Sequence, residues 1–134
     1  MLVPVSWAQY HLNDVSAVGD ISYVHRYIQL AHDSSAAGLD GIVIGAPSKT
    51  NHIQEAEIER AREYSGPDML VLVPGVGAQE GDPAPIFRHF SPDMVIVNVG
   101  RAMMFPNGSD STPAQQADAA KQYRDMLNGL RTQH

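Results

Sequence analysis

Four short apolar runs stand out in the sequence, at residues 2–5, 41–44, 69–73 and 94–99. Each run has four to six residues, is rich in Val, Ile or Leu, and lacks a regular alternation of apolar and polar positions. Such runs are typical of parallel strands that are covered on both faces. We therefore predict four buried parallel strands.

Helical patterns fill the two longest gaps between these runs. In residues 21–37 the apolar side chains recur near one face, and Gly38 can end that helix in a left-handed cap. Asn51 is the expected N-cap of the next helix, in which apolar and charged residues are interleaved until Gly66 and Pro67 end it. Each gap thus predicts one helix.

Two further helices are expected after the third and fourth runs. A short helix follows Pro83 and extends to about Phe90. The last helix is expected over residues 113–130, with an inward stripe formed by Ala117, Ala120, Tyr123, Leu127 and Leu130.

The repeated order of strand and helix predicts parallel strands joined by right-handed crossovers. Four such units make a (β/α)₄ half of a (β/α)₈ barrel, and we expect residues 1–134 to form this α/β half-barrel as a single domain. Residues 7–20 carry no strong pattern and are long for a strand-to-helix connection, so we expect a lid or an irregular loop there.

The amino-acid composition excludes several classes of function. With 43% hydrophobic and 18% charged residues, the 134-residue chain has the make-up of a folded domain. A net charge of −6 argues against a general nucleic-acid binder, because such proteins neutralise many phosphates with Lys and Arg. The absence of cysteine excludes thiolate catalysis and disulfides. Without a long apolar segment we expect no membrane span and a cytoplasmic location.

The strongest chemical signal is the sequence PGVGAQEGD at residues 74–82, directly after the third run. Its three glycines allow backbone N–H groups to approach a ligand closely, and Gln79 adds a side-chain amide donor. The segment therefore suits either the binding of an anion or the closure of a tight turn without a ligand.

A second signal, Val99-Gly100-Arg101, ends the fourth run. Gly100 leaves space, and Arg101 offers a planar guanidinium to a phosphate at the start of the next helix. Loops after the last two strands of a (β/α)₈ barrel frequently form a phosphate site. Taken together, the two segments favour phosphate over a turn without a ligand.

The two segments resemble the orotidine 5′-monophosphate decarboxylase family, whose seventh and eighth strands end in PGVGAQGGD-like and VGR-like sequences. The likeness extends over nearly the whole chain and implies strands five to eight of that barrel. It also implies conversion of orotidine monophosphate (OMP) to uridine monophosphate (UMP) and CO₂ in pyrimidine biosynthesis, without a cofactor or a metal.

The resemblance assigns roles to individual residues. Gln79 would contact both phosphate and pyrimidine, Gly100 and Arg101 would bind phosphate, and Ser6 would bond to the base. The phosphate loop would consist of Gly75, Val76, Gly77 and Ala78.

The chain also departs from the family pattern. Glu80 stands where the family usually has glycine, and the residues after Ser6 differ from the usual continuation. The family's catalytic Asp-x-Lys-x-x-Asp array is missing, and the chain's lysines are Lys49 and Lys121. We therefore expect no catalytic residue in this chain and no activity from the chain alone.

Half a barrel leaves strand edges and interior side chains uncovered, which is costly. We therefore expect a homo-oligomer or a partner chain that carries the missing four strands. The alternatives are a non-catalytic phosphate- or nucleotide-binding assembly module and, with less support, a sugar-phosphate lyase of the same superfamily. The six histidines form no recognisable metal-ligand motif.

Overall fold

The computed structural model describes residues 2–4, 38 and 40–133. Four strands, β1 (Leu2–Pro4), β2 (Gly41–Val43), β3 (Leu70–Val73) and β4 (Val95–Val97), pair in parallel in the order β1-β2-β3-β4. The prediction of a parallel α/β half-barrel is confirmed. The predicted helix over residues 21–37 and the stretch 7–20 lie outside the described residues.

The helices are α1 (Glu55–Ser65), α2 (Ala84–His89), α3 (Arg101–Met104) and α4 (Pro113–Arg131). A 3₁₀ turn at Pro92–Met94 precedes β4, and an extended segment, β5 (Pro106–Ser109), follows α3. Both helices expected in the second half of the chain are present. None of the helices in this described part is long and apolar enough to span a bilayer.

The start of α1 differs from the prediction, because the N-cap is Gln54 and not Asn51. Asn51 instead closes a turn with Ser48, and its side-chain amide donates to the Ala46 carbonyl at 3.1 Å. The Glu57 carboxylate accepts from the backbone N–H of Gln54 at 2.7 Å, which stabilises the helix start. Asn51 therefore belongs to the turn between β2 and α1, three residues before the N-cap.

The inward face of α4 also differs from the predicted stripe. Ala119 is buried and Tyr123, Leu127 and Leu130 are half-buried, whereas Ala117 and Ala120 are exposed. The short elements α3 and β5, which the hydrophobic pattern did not predict, both contact α4. Gln116 donates to the Met104 carbonyl at 2.7 Å, which fixes the rotation of α4 over α3.

The core lies on the sheet face that α1 and α2 cover. It contains the buried strand residues Ile42, Val71 and Val73 and Ile44 directly after β2, together with Ile58, Ala61, Ile86 and Phe90 from or beside the two helices. Burying this much aliphatic surface is the main stabilising contribution to the fold.

The opposite sheet face carries an apolar inner row, Val43, Leu72 and Ile96, whose members are register partners on β2, β3 and β4. Val43 and Leu72 are half-buried, and Ile96 is 54% exposed. In a closed barrel this face would point to the interior. The row is therefore the part of the described sheet most in need of a covering layer.

An ion-pair network joins α1 to α2. Arg88 donates to both carboxylate oxygens of Glu55, at 2.7 and 2.9 Å, and His89 Nε2 lies 3.2 Å from the same carboxylate. The hydrogen bonds from Arg88, with a smaller contribution from His89, lower the pKa of Glu55 from 4.5 to about 2.

This network predicts an acid-sensitive contribution to stability. The folded-state pKa of Glu55 is depressed, so its contribution is present above pH 4.5 and is lost as the pH falls towards 2. We expect Glu55→Gln to lower the free energy of unfolding near pH 6 and to match the wild type near pH 2, as measured by urea denaturation across this range. Glu59→Gln, on the same helix, is the control. A Glu55→Gln deficit that does not change with pH would contradict the prediction.

Candidate functional site

The loop at residues 74–82, here called the glycine loop, and the turn that leads into α3 follow adjacent strands at the same edge of the sheet. The glycine loop is closed by hydrogen bonds from Gly81 N–H to the Gly75 carbonyl, at 3.0 Å, and from Glu80 N–H to the Gly77 carbonyl, at 2.8 Å. Asp82 N–H ties its end to the Pro47 carbonyl at 2.9 Å. The loop is therefore held in one conformation by its own backbone.

Two glycines, Gly77 and Gly81, allow the loop to close because a side chain at either position would clash with neighbouring atoms. Gly77 has φ +93°, and a Cβ added there would lie 2.7 Å from the Ala102 Cβ and 3.0 Å from the Tyr123 hydroxyl oxygen. A Cβ on Gly81 would lie 2.6 Å from the Ala46 Cβ and 2.7 Å from the Gly75 carbonyl oxygen. Close packing of the loop therefore explains these two glycines without reference to a ligand.

Two successive amides of the loop remain available. Gly77 takes part in the bridge between Val76 and Gly81, whereas no backbone hydrogen bond within the described part of the chain uses the N–H groups of Ala78 or Gln79. Successive backbone N–H groups in a turn form a concave site for anions. Closure of the loop and anion binding are thus compatible, because they use different backbone groups.

A cavity of about 510 Å³ lies between the glycine loop, α3, β5 and α4. This volume falls within the range of small-molecule sites in proteins, roughly 300–1,000 Å³. Of the predicted site residues, the structure brings Gly77, Ala78 and Arg101 together in its lining. The other lining residues are Ala102, Phe105, Pro106, Ala119, Gln122 and Tyr123.

Arg101 supplies the positive charge of this cavity. Its side chain is exposed, and it forms no ion pair with any acidic residue among those described. The helix that Arg101 begins has only four residues, so the helix dipole contributes little to anion binding. The expected phosphate contact therefore depends on the guanidinium itself.

The remaining predicted residues lie outside the cavity lining. Val76 is buried in the core, and Gly75 adopts φ +97° at the base of the loop. The Gln79 side-chain oxygen folds back, 3.2 Å from the position of a Cβ on Gly75. Gly100 precedes α3, and a Cβ added there would meet open space. Ser6 is outside the described residues.

Glu80 has φ +55°, a left-handed conformation that costs about 1–2 kcal/mol for a residue with a Cβ. The position that departs from the family pattern is thus one at which the backbone favours glycine. The Glu80 side chain is exposed and is not part of the cavity lining.

Among the residues that the structure describes, neither lysine lies beside a pair of carboxylates. Lys49 is exposed in the turn after β2, and Lys121 lies 3.4 Å from the Asp118 carboxylate on the surface of α4. No group of three His, Asp or Glu side chains capable of holding a metal ion occurs among residues 40–133.

Sequence reasoning missed the contribution of α4 to the cavity, because it treated Tyr123 as a core residue. The ring does pack against the core, but the hydroxyl reaches the glycine loop. A usable signal was present, since a tyrosine on an inward helix face needs a polar partner for its hydroxyl.

Comparison with known proteins gives a consistent set of relatives. The chain is 33% identical over 116 residues to an orotidine 5′-phosphate decarboxylase of Bordetella petrii, covering 84% of this chain and 40% of the relative. The corresponding protein of Paracidovorax citrulli is 40% identical over 93 residues, which cover 68% of this chain and 31% of that relative. The chain thus spans less than half the length of these curated relatives. No family model matches it.

Solved structures share the fold. The OMP decarboxylase of Leishmania donovani superposes with a TM-score of 0.63 at 21% identity, over 98% of this chain and 47% of that one. The UMP synthase of the same organism gives a TM-score of 0.59 at 24% identity and covers 85% of this chain and 23% of its own. With the curated relatives at 33% and 40% identity, these likenesses lead to one conclusion: the chain belongs to the orotidine 5′-phosphate decarboxylase family.

Proposed function

We propose that this chain is the phosphate- and pyrimidine-binding half of an OMP decarboxylase, corresponding to strands five to eight of the barrel. The observation that carries the proposal is the cavity whose lining brings Arg101 together with Gly77 and Ala78 of the glycine loop. It lies beyond the carboxyl ends of β3 and β4, where barrel enzymes of this type hold phosphate.

The proposed binding chemistry combines charge and geometry. The phosphate dianion of OMP or UMP accepts a two-point contact from Arg101 and further hydrogen bonds from the free amides of the glycine loop. Gln79 turns from its position over Gly75 towards the ligand, and Ser6 contacts the base, as the family resemblance implies. No metal or cofactor takes part in the proposed reaction.

Loss of CO₂ from OMP leaves a carbanion at C6 of the pyrimidine, and this carbon must receive a proton. A general acid has to lie within hydrogen-bond reach of the atom that it protonates. The sequence contains no Asp-x-Lys-x-x-Asp array that could hold a lysine there. In our proposal the lysine comes from a polypeptide segment that carries the other four strands.

The same segment would cover the apolar inner row. Four parallel strands make half a barrel, and this chain spans 40% of the Bordetella petrii relative, which leaves room in that relative for the other half. Closure against four more strands would bury Ile96, pair the free edge of β4 and remove an open sheet edge.

Arg101→Ala tests the proposal directly. We expect the chain to bind UMP weakly and Arg101→Ala to reduce the affinity by roughly 10- to 100-fold, because hydrogen bonds between charged groups contribute about 1.5–3 kcal/mol. Isothermal titration calorimetry with UMP measures this change. Arg124→Ala, which removes an equal charge from the exposed side of α4, should bind UMP as the wild type does. Equal affinities for Arg101→Ala and the wild type would refute the phosphate assignment.

The second candidate function is a non-catalytic phosphate-binding module that assembles with another copy of itself. The missing lysine array favours this candidate, since such a module needs no proton donor. Measurement of the mass in solution, with and without UMP, separates the two. A stable closed homodimer that binds UMP supports the module, whereas association with a lysine-bearing half-barrel supports the decarboxylase.

A further inference from the structure

Tyr123 reaches the candidate site from α4, an element that carries none of the residues assigned by resemblance. Its ring is half-buried and packs against the core, and the residue lines the cavity together with Gly77, Ala78 and Arg101. The hydroxyl oxygen lies 3.0 Å from the position that a Cβ on Gly77 would occupy. The absence of a side chain at Gly77 thus gives this hydroxyl access to the glycine loop.

The hydroxyl is available to a ligand. It makes no hydrogen bond with any other residue in the described part of the chain, and it is open to solvent although its ring packs against the core. The other polar groups that line this cavity are the Arg101 guanidinium, the side-chain amide of Gln122 and the backbone N–H of Ala78, each of which can donate a hydrogen bond. A ligand that accepts hydrogen bonds would satisfy all of these groups together.

We propose that the Tyr123 hydroxyl donates a hydrogen bond to the phosphate group that Arg101 and the glycine loop hold, and that Tyr123 is a further binding residue for the nucleotide. The inference rests on the proposed function and extends it to α4. An uncharged donor on a 19-residue helix adds a contact from a rigid element, next to the contacts supplied by the loop. The proposed hydrogen bond is made to the phosphate, so it does not contribute to the binding of uridine, which has no phosphate.

Tyr123→Phe is the appropriate test, because it removes the hydroxyl and keeps the ring that packs against the core. UMP, inorganic phosphate and uridine are titrated separately into the wild type and the variant. We expect Tyr123→Phe to weaken UMP and phosphate binding by roughly 10-fold or more, the size typical of a hydrogen bond to a charged group. Uridine binding and the thermal midpoint should not change. Tyr64→Phe, on α1 and away from the cavity lining, is the matched control.

The outcomes separate this inference from the proposed function. If Arg101→Ala weakens UMP binding and Tyr123→Phe does not, the phosphate site stands and Tyr123 is only a packing residue. If Tyr123→Phe weakens uridine and UMP binding equally, the hydroxyl does not recognise phosphate and the inference is wrong. If the wild type binds neither UMP nor phosphate, the proposed function and the inference fail together.

Discussion

Gly77→Ala is expected to destabilise the protein by roughly 2–4 kcal/mol, the sum of a strained backbone and an overpacked contact. The φ angle of +93° is one that residues with a Cβ rarely adopt. The added Cβ would lie 2.7 Å from the Ala102 Cβ, an atom that no side-chain rotation can move. The backbone of the glycine loop or of α3 must therefore shift, and urea denaturation would measure the cost.

Substitutions at two other positions provide controls, one with a small expected change in stability and one with a change of the opposite sign. Gly100→Ala adds a Cβ into open space at φ −96°, so it should change stability far less than Gly77→Ala. Glu80→Gly removes a Cβ at φ +55° and should stabilise the protein, by up to about 1 kcal/mol after the added entropy of the unfolded chain is subtracted. Equal losses for Gly77→Ala and Gly100→Ala would show that loop closure does not depend on Gly77.

The strands were predictable because parallel strands under helices need continuous apolar runs, and a run of this kind leaves a signal without any tertiary information. The paired strands in the structure are shorter than the apolar runs that predicted them. The run at residues 94–99, for example, pairs as a strand only over Val95–Val97, and Met94 ends a 3₁₀ turn. The extent of a ladder depends on the neighbouring strand, which the pattern of one segment does not contain.

The site predictions depended on residue types along the sequence, which indicate individual residues but not which of them meet in the fold. The glycine loop and Arg101 were identifiable because they directly follow apolar runs and resemble a family pattern. Their meeting in one cavity with Tyr123 was not predictable, since it depends on α3 and β5, each only four residues long. Elements of this length have too few positions for a periodic pattern to be recognised, and they are determined by packing. The N-cap prediction at Asn51 failed because Asn51 closes a turn with Ser48, and the helix begins three residues later than expected.

The chain by itself is expected to release no CO₂ from OMP, and mixing it with a half-barrel that carries the family's lysine array is expected to produce decarboxylation. Proton transfer by a positioned acid contributes typically 10²- to 10⁴-fold to a rate, so the difference should be large. The partner would be the part of the Bordetella petrii relative that this chain does not match, and release of labelled CO₂ is the readout. Replacing the array lysine in the partner should abolish activity while association persists, whereas Ile96→Asp in this chain should prevent association by placing a charge in the apolar inner row. Decarboxylation by the unmixed chain would contradict the proposal that the proton donor comes from elsewhere.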